Sequence, residues 1–225
     1  MTRRPSPRQI RQAARKAVAI FEQYGLKCCL FGSLACHIYG MKYRDPKDVD
    51  LVVLNNGRRD TEHLKQLLVD HDGDNRFYLV PSRNPDATYK VLHYRFSRYR
   101  SCKVDILTTG SSTSLNIPAM PLTQVMYSRL YKLPVMPFLP LLLMKLRGWV
   151  DNRHSPKAYE QARVRRDVAD VKAMLDIAFK KRVHINDLEY NWVPQWFVRQ
   201  SKERVDEFIR RFPGTGDIWE SLGLC

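Results

Sequence analysis

Two aspartates, Asp48 and Asp50, open the run Asp48-Val49-Asp50-Leu51-Val52-Val53-Leu54, whose branched apolar residues read as a β-strand. Alternation along a strand puts both carboxylates on one face. Two such charges in one small volume repel each other unless a cation sits between them, and ligands made only of oxygen suit a hard ion such as Mg2+. The stretch Lys103-Val104-Asp105-Ile106-Leu107 has the same texture, with Val104 and Ile106 on one face and Asp105 on the other. If the two strands pair, Asp48, Asp50 and Asp105 meet as the ligand set of a two-metal phosphoryl-transfer centre.

Such a centre also needs a holder for the phosphates, and Gly32-Ser33 fits that role. The pair follows a short apolar stretch, Lys27 to Phe31, that reads as a buried strand, and it opens a helix running to Tyr39 and Gly40. A glycine lets the backbone approach a phosphate closely, the free amides of the helix start point donors at it, and Ser33 adds a hydroxyl. Taken singly, an Asp-x-Asp is often a pair of solvated strand-edge carboxylates and a Gly-Ser an ordinary turn. Their order, each in its required structural context, is what gives them weight.

Elsewhere the punctuation is regular. Ser6-Pro7-Arg8-Gln9 reads as a helix start with a capping box, and the helix runs to about Tyr24 before Gly25, with Ile10, Ala14, Ala17, Phe21 and Tyr24 on its inner face. Asp60 or Thr61 caps a second amphipathic helix, and Phe77 to Val80 and Tyr89 to Phe96 read as strands separated by the turn-rich segment Pro81 to Asp86. Beyond residue 108 the sequence turns to Thr, Ser and Gly, then to spaced prolines, and the remainder carries helical periodicity over Leu141 to Val150, Ala158 to Lys181 and Ser201 to Phe212. The expected fold class is α/β (α+β): a mixed sheet flanked by helices over residues 1–117, then a helical half over residues 118–225.

The motifs Phe31-Gly32-Ser33, Asp48-Val49-Asp50-Leu51-Val52 and Val104-Asp105-Ile106 together resemble the three-part signature of the DNA polymerase β-like nucleotidyltransferase superfamily, over roughly residues 8 to 107. The resemblance implies that Gly32 and Ser33 contact the β and γ phosphates of an NTP. It implies that Asp48 and Asp50 hold both of two Mg2+ ions, for which Mn2+ can substitute, and that Asp105 holds one and can help deprotonate the acceptor. Fourteen residues separate Ser33 from Asp48, slightly more than is usual in the family, so the loop from Met41 to Lys47 is an elaboration. Leu143-Met144-Lys145 and Arg165-Arg166-Asp167 followed by Asp170 are loosely similar to the tails of AbiEii-type minimal nucleotidyltransferases, and carry over Lys145 and Arg166 as phosphate contacts. Lys145 on an apolar helix also reads simply as a lysine reaching out to solvent.

Composition enters where partners are concerned. Thirty-eight Lys and Arg against 23 Asp and Glu leave a formal charge of +15. That favours polyanionic partners, though the same excess also serves solubility alone. The basic residues cluster at Arg3 to Lys16, Lys90 to Lys103, Arg163 to Arg166 and Lys180 to Arg182. Tyr89, Tyr94, Phe96 and Tyr99, interleaved with Lys90, Arg95, Arg98 and Arg100, match a nucleic-acid stacking surface and equally the plain alternation of a strand on a core. An RNA end such as that of tRNA is therefore the first expectation for the acceptor, ahead of a protein side chain and a small-molecule hydroxyl. The base of the NTP is open, with ATP one candidate.

Five cysteines without a CxxC pair suggest neither a disulfide framework nor a zinc knuckle, so a reducing intracellular compartment, cytoplasm or nucleus, is the expectation. The acid-free segment before Glu22 could pass for an organelle transit peptide, which leaves a mitochondrial address open, but its helical periodicity favours a structural first helix. No apolar run is long enough to span a bilayer, and no membrane association is expected.

Overall fold

The computed structural model describes residues 4–55, 57, 59–82, 87–110 and 115–225. The chain separates into two compact units, residues 1–38 with 42–136, and residues 39–41 with 137–225.

The first unit opens with α1 (Pro7–Gln23), which starts where local chemistry says it should. The Ser6 hydroxyl accepts from the Gln9 amide, the Gln9 side chain accepts from the Ser6 amide, and Pro7 occupies the first turn. Its inner face, Ile10, Ala13, Ala14, Ala17, Val18, Ile20 and Phe21, is buried. Tyr24 lies outside that stripe, and its hydroxyl meets His71 Nδ1 at 2.6 Å.

Next come β1 (Cys28–Phe31), α2 (Gly32–Tyr39), β2 (Val49–Val53), α3 (Thr61–Asp70, capped by Asp60), β3 (Phe77–Pro81), β4 (Lys90–Ser97) and β5 (Arg100–Thr108). Two short strands, β6 (Met126–Tyr127) and β7 (Pro134–Val135), complete a seven-stranded sheet of order β3-β4-β5-β2-β1-β7-β6. The sheet is mixed, parallel at β2/β5 and β1/β7 and antiparallel at the other pairs. One face carries Leu30, Val49, Leu51, Val53, Phe77, Leu92, Tyr94, Val104 and Ile106, all buried, and α1 and α3 pack on the sheet. The buried Asp72 ties the start of β3 in place by accepting from the amides of Arg76 and Phe77 at 2.6 and 2.9 Å.

The segments expected as turns at 81–86 and as a Thr, Ser and Gly run at 108–114 lie partly outside the described residues. The sequence places the domain boundary near residue 118; in the structure strand pairing continues to Val135, which pairs with Leu30 of β1, and the second unit takes over at Pro137. Strands of two residues are too short to show an alternation pattern, so β6 and β7 are held by their partners rather than announced by their residues.

The second unit is helical: α4 (Phe138–His154), α5 (Ala158–Gln161), α6 (Val164–Lys181), α7 (Gln195–Arg211) and α8 (Gly216–Ser221). Pro140 does not break α4 because it lies in the first turn, where the missing N–H has no intrahelical acceptor. The helix expected over Ala158 to Lys181 is divided by a turn at Ala162–Arg163, and α7 starts directly after Pro194. Trp149, Phe208 and Trp219 form the centre of this unit, with the Phe208 ring edge-on to both indoles at 4.9 and 6.2 Å. This is a mixed α/β architecture with a helix-flanked sheet followed by a helical half.

Candidate functional site

The candidate carboxylates gather where β1, β2 and β5 lie side by side. β2 and β5 run parallel in the register Val49↔Val104, Asp50↔Asp105, Leu51↔Ile106. Partner residues on neighbouring strands point to the same face about 4.8 Å apart, so Asp50 and Asp105 stand next to each other, each half-buried. Asp48 lies one residue before the start of β2, on the same side as Asp50 by alternation.

Gly32 and Ser33 lie at the foot of this pair. Phe31, the last residue of β1, is the antiparallel partner of Asp50, so the chain turns into α2 directly beside the carboxylate. Gly32 adopts φ +60°, and a methyl group built there would lie 2.7 Å from Asp50 Cγ. Glycine is required on both counts: the left-handed backbone and the carboxylate packed against its α-carbon. The Ser33 hydroxyl, itself buried, donates to Asp48 Oδ1 at 3.1 Å.

Lys103 precedes Asp105 by two positions on the same face of β5, and its ammonium pairs with Asp105 Oδ2 at 2.8 Å. With Asp48 engaged by Ser33 and Asp105 by Lys103, no three His, Cys, Asp or Glu side chains among the described residues converge at metal-binding geometry as they stand. The donor set nonetheless fits a hard divalent cation: carboxylates on one face, two of them in register, with no sulfur or imidazole among them. Lys103 was not singled out by sequence reasoning, although i,i+2 spacing on a strand was the signal that could have found it.

Lys145 and Arg166 belong to the helical unit. Lys145 Nζ pairs with Asp170 Oδ2 at 3.1 Å between α4 and α6, and the Asp170 side chain is 1% exposed. Next to this pair, Asn152 donates to Asp167 Oδ2 at 2.7 Å, while burial pushes the Asp167 carboxyl up from the usual carboxylate range. Lys145, whose side chain is partly exposed, thus compensates a buried charge in its own unit. Arg166 is exposed near the start of α6.

The aromatic and basic residues of β4 divide as strand alternation requires. Tyr94 is 2% exposed and packs edge-on to Phe77 at 4.8 Å in the core, so it is no stacking surface for a ligand. Tyr89 and Tyr99 are exposed. The thiols are free and four of the five are buried; burial, with the charge of Asp48 adding to it, pushes Cys102 up to about 12. No helix among the described residues is long and apolar enough to cross a membrane.

No protein-family model matches the chain, and no curated protein matches it by sequence. Among solved structures, the fold matches an antigenic nucleotidyltransferase-like protein from Paracoccidioides brasiliensis, with a TM-score of 0.69 at 13% sequence identity, over 96% of this chain and 94% of that one. The chain therefore has a nucleotidyltransferase-like fold across both units. The similarity is one of architecture.

Proposed function

We propose that this protein is a metal-dependent nucleotidyltransferase that moves a nucleoside monophosphate from an NTP to a hydroxyl acceptor and releases pyrophosphate. The observation that carries the reading is the register of Asp50 with Asp105 beside Gly32: two carboxylates side by side at the mouth of a strand-to-helix turn whose glycine leaves room for one of them. Asp48, Asp50 and Asp105 would hold Mg2+, or Mn2+ in its place. When bound, such ions supply Lewis-acid stabilisation of the charge on the phosphoryl oxygens. The amides at the start of α2 offer donors to the NTP phosphates. The Ser33 hydroxyl orients Asp48, and Asp105 can accept the acceptor's hydroxyl proton once Lys103 yields its place. The superfamily signature supports this division of roles, and the likeness to AbiEii-type minimal enzymes remains a proposal for the helical half.

A second reading is favoured by the Lys103–Asp105 ion pair: a nucleotide- or RNA-binding module whose third carboxylate is neutralised by Lys103. Incubation with Mg2+ and each α-labelled NTP in turn, against RNA, protein and small-molecule pools, separates the two. Label transferred by the native protein and lost in Asp50→Asn supports the transferase. NTP binding by calorimetry with no transfer to any pool supports the binding module.

A further inference from the structure

Tyr78, His93 and Lys103 are successive cross-strand partners on β3, β4 and β5: Tyr78 is opposite His93, and His93 is opposite Lys103. All three therefore share the sheet face of Asp50 and Asp105, the face opposite Tyr94. The Tyr78 and His93 rings are stacked with centroids 5.6 Å apart and 25° between planes, and the Arg95 guanidinium lies 4.6 Å above the Tyr78 ring. Tyr78 and His93 are half-buried, whereas Arg95 and Lys103 are exposed. The Tyr78 ring thus packs with both the His93 ring and the Arg95 guanidinium, and the row leads through Lys103, its second cation, to Asp105.

We infer that this row seats the unpaired 3′ end of a single-stranded RNA, the acceptor of the proposed transfer, and the inference rests on that reading. Ring and guanidinium planes take up bases that are free to stack, which duplex bases are not. Arg95 and Lys103 supply charge complementary to the phosphates, in a chain of net charge +15. Lys103 links the two regions: a phosphate that draws its ammonium away from Asp105 frees the carboxylate, so acceptor occupancy and a complete ligand set go together. An RNA end also offers two neighbouring hydroxyls for the reaction.

The test is fluorescence anisotropy of a labelled single-stranded RNA 12-mer with the full chain, without NTP or metal, at low and physiological salt. Tyr78→Ala and Arg95→Gln are each expected to weaken binding about tenfold, and Tyr78→Phe to retain it. Arg95→Gln should also lower the log–log salt slope by about 0.7, the share of one neutralised phosphate on a single strand. Circular dichroism and thermal melting confirm that each variant is folded, and the exposed Arg95 serves as the read-out should Tyr78→Ala destabilise the sheet. Native-like RNA affinity in folded Arg95→Gln and Tyr78→Ala, or no RNA binding at low salt, overturns the inference. Tighter binding of a DNA strand or an acidic peptide through the same residues overturns the choice of RNA. Because binding is read without turnover, a protein that transfers nucleotides but ignores RNA refutes this inference alone. One that binds RNA through these residues but transfers nothing refutes only the proposed reaction.

Discussion

Asp50 of β2 and Asp105 of β5 are register partners on parallel strands although 54 residues separate them in the chain, and this pairing puts two carboxylates side by side on one face of the sheet. Two carboxylates at this spacing are costly unless a cation or a proton is shared between them. Asp48→Asn, Asp50→Asn and Asp105→Asn are each expected to abolish nearly all nucleotide transfer while preserving the melting temperature, because an amide cannot supply the negative charge a hard cation needs. Transfer assays with α-labelled NTP check this, and full turnover by Asp105→Asn would remove the third ligand from the assignment.

Gly32→Ala should cost both stability and activity. The left-handed backbone alone costs roughly 1–2 kcal/mol for a residue with a Cβ, and the added methyl also displaces the Asp50 carboxylate. Denaturant unfolding and calorimetric Mg2+ titration measure the two effects; an unperturbed Mg2+ affinity would separate Gly32 from the proposed metal site.

Ser33→Ala is expected to be milder. It removes one hydrogen bond to Asp48, worth about 1 kcal/mol, and leaves the helix-start amides in place. The expected result is a reduced but measurable rate, whereas a loss as deep as that of Asp50→Asn would show that the hydroxyl itself contacts the reacting groups.

In the helical unit, Lys145→Ala strips the partner from the buried Asp170. A buried carboxylate left uncompensated is destabilising, here by about 2–3 kcal/mol given that Lys145 is itself partly exposed. Adding Asp170→Asn should restore part of that loss. Lys145 is also the proposed phosphate contact, so NTP affinity is to be measured on the double variant as well as on Lys145→Ala. Weakened NTP binding in both, with stability recovered in one, supports the contact, and Arg166→Ala tests the same role without touching a buried pair. Unchanged affinity throughout reduces this half to scaffold or acceptor platform.

His37 on α2 supplies a pH signature. Burial, reinforced by the nearby charges of Lys42 and Arg11 and opposed by Asp45, lowers its pKa below the ordinary 6.5. The fold therefore holds the ring neutral while the unfolded chain takes up a proton as pH falls below about 6.5. Stability from this group is complete above that value and declines as pH falls from it toward the lower folded pKa. His37→Asn should lose less stability between pH 7 and pH 5 than the native chain, measured by urea unfolding at each pH.

Much of the candidate site's local geometry was legible in the sequence because its parts are local. A strand, a glycine, a helix start and an Asp-x-Asp each leave a short-range mark, and the capping box at Ser6 and Gln9 shows how completely such chemistry can specify an element. The alternation around Asp50 and Asp105 likewise determined which face each carboxylate would take. What no local pattern carries is which strands become neighbours. The parallel register of Asp50 with Asp105, the Lys103 ammonium on Asp105, the engagement of Lys145 by Asp170 and the row Tyr78–His93–Lys103 all join residues by cross-strand or interhelical packing. Tyr94 and His93 make the point most directly: adjacent in the chain, they face opposite sides of the sheet, and only its pairing made one a core residue and left the other beside Lys103. Side-chain type and period are properties of the chain, whereas the environment that gives a lysine or a tyrosine its role is assembled only when distant segments pack.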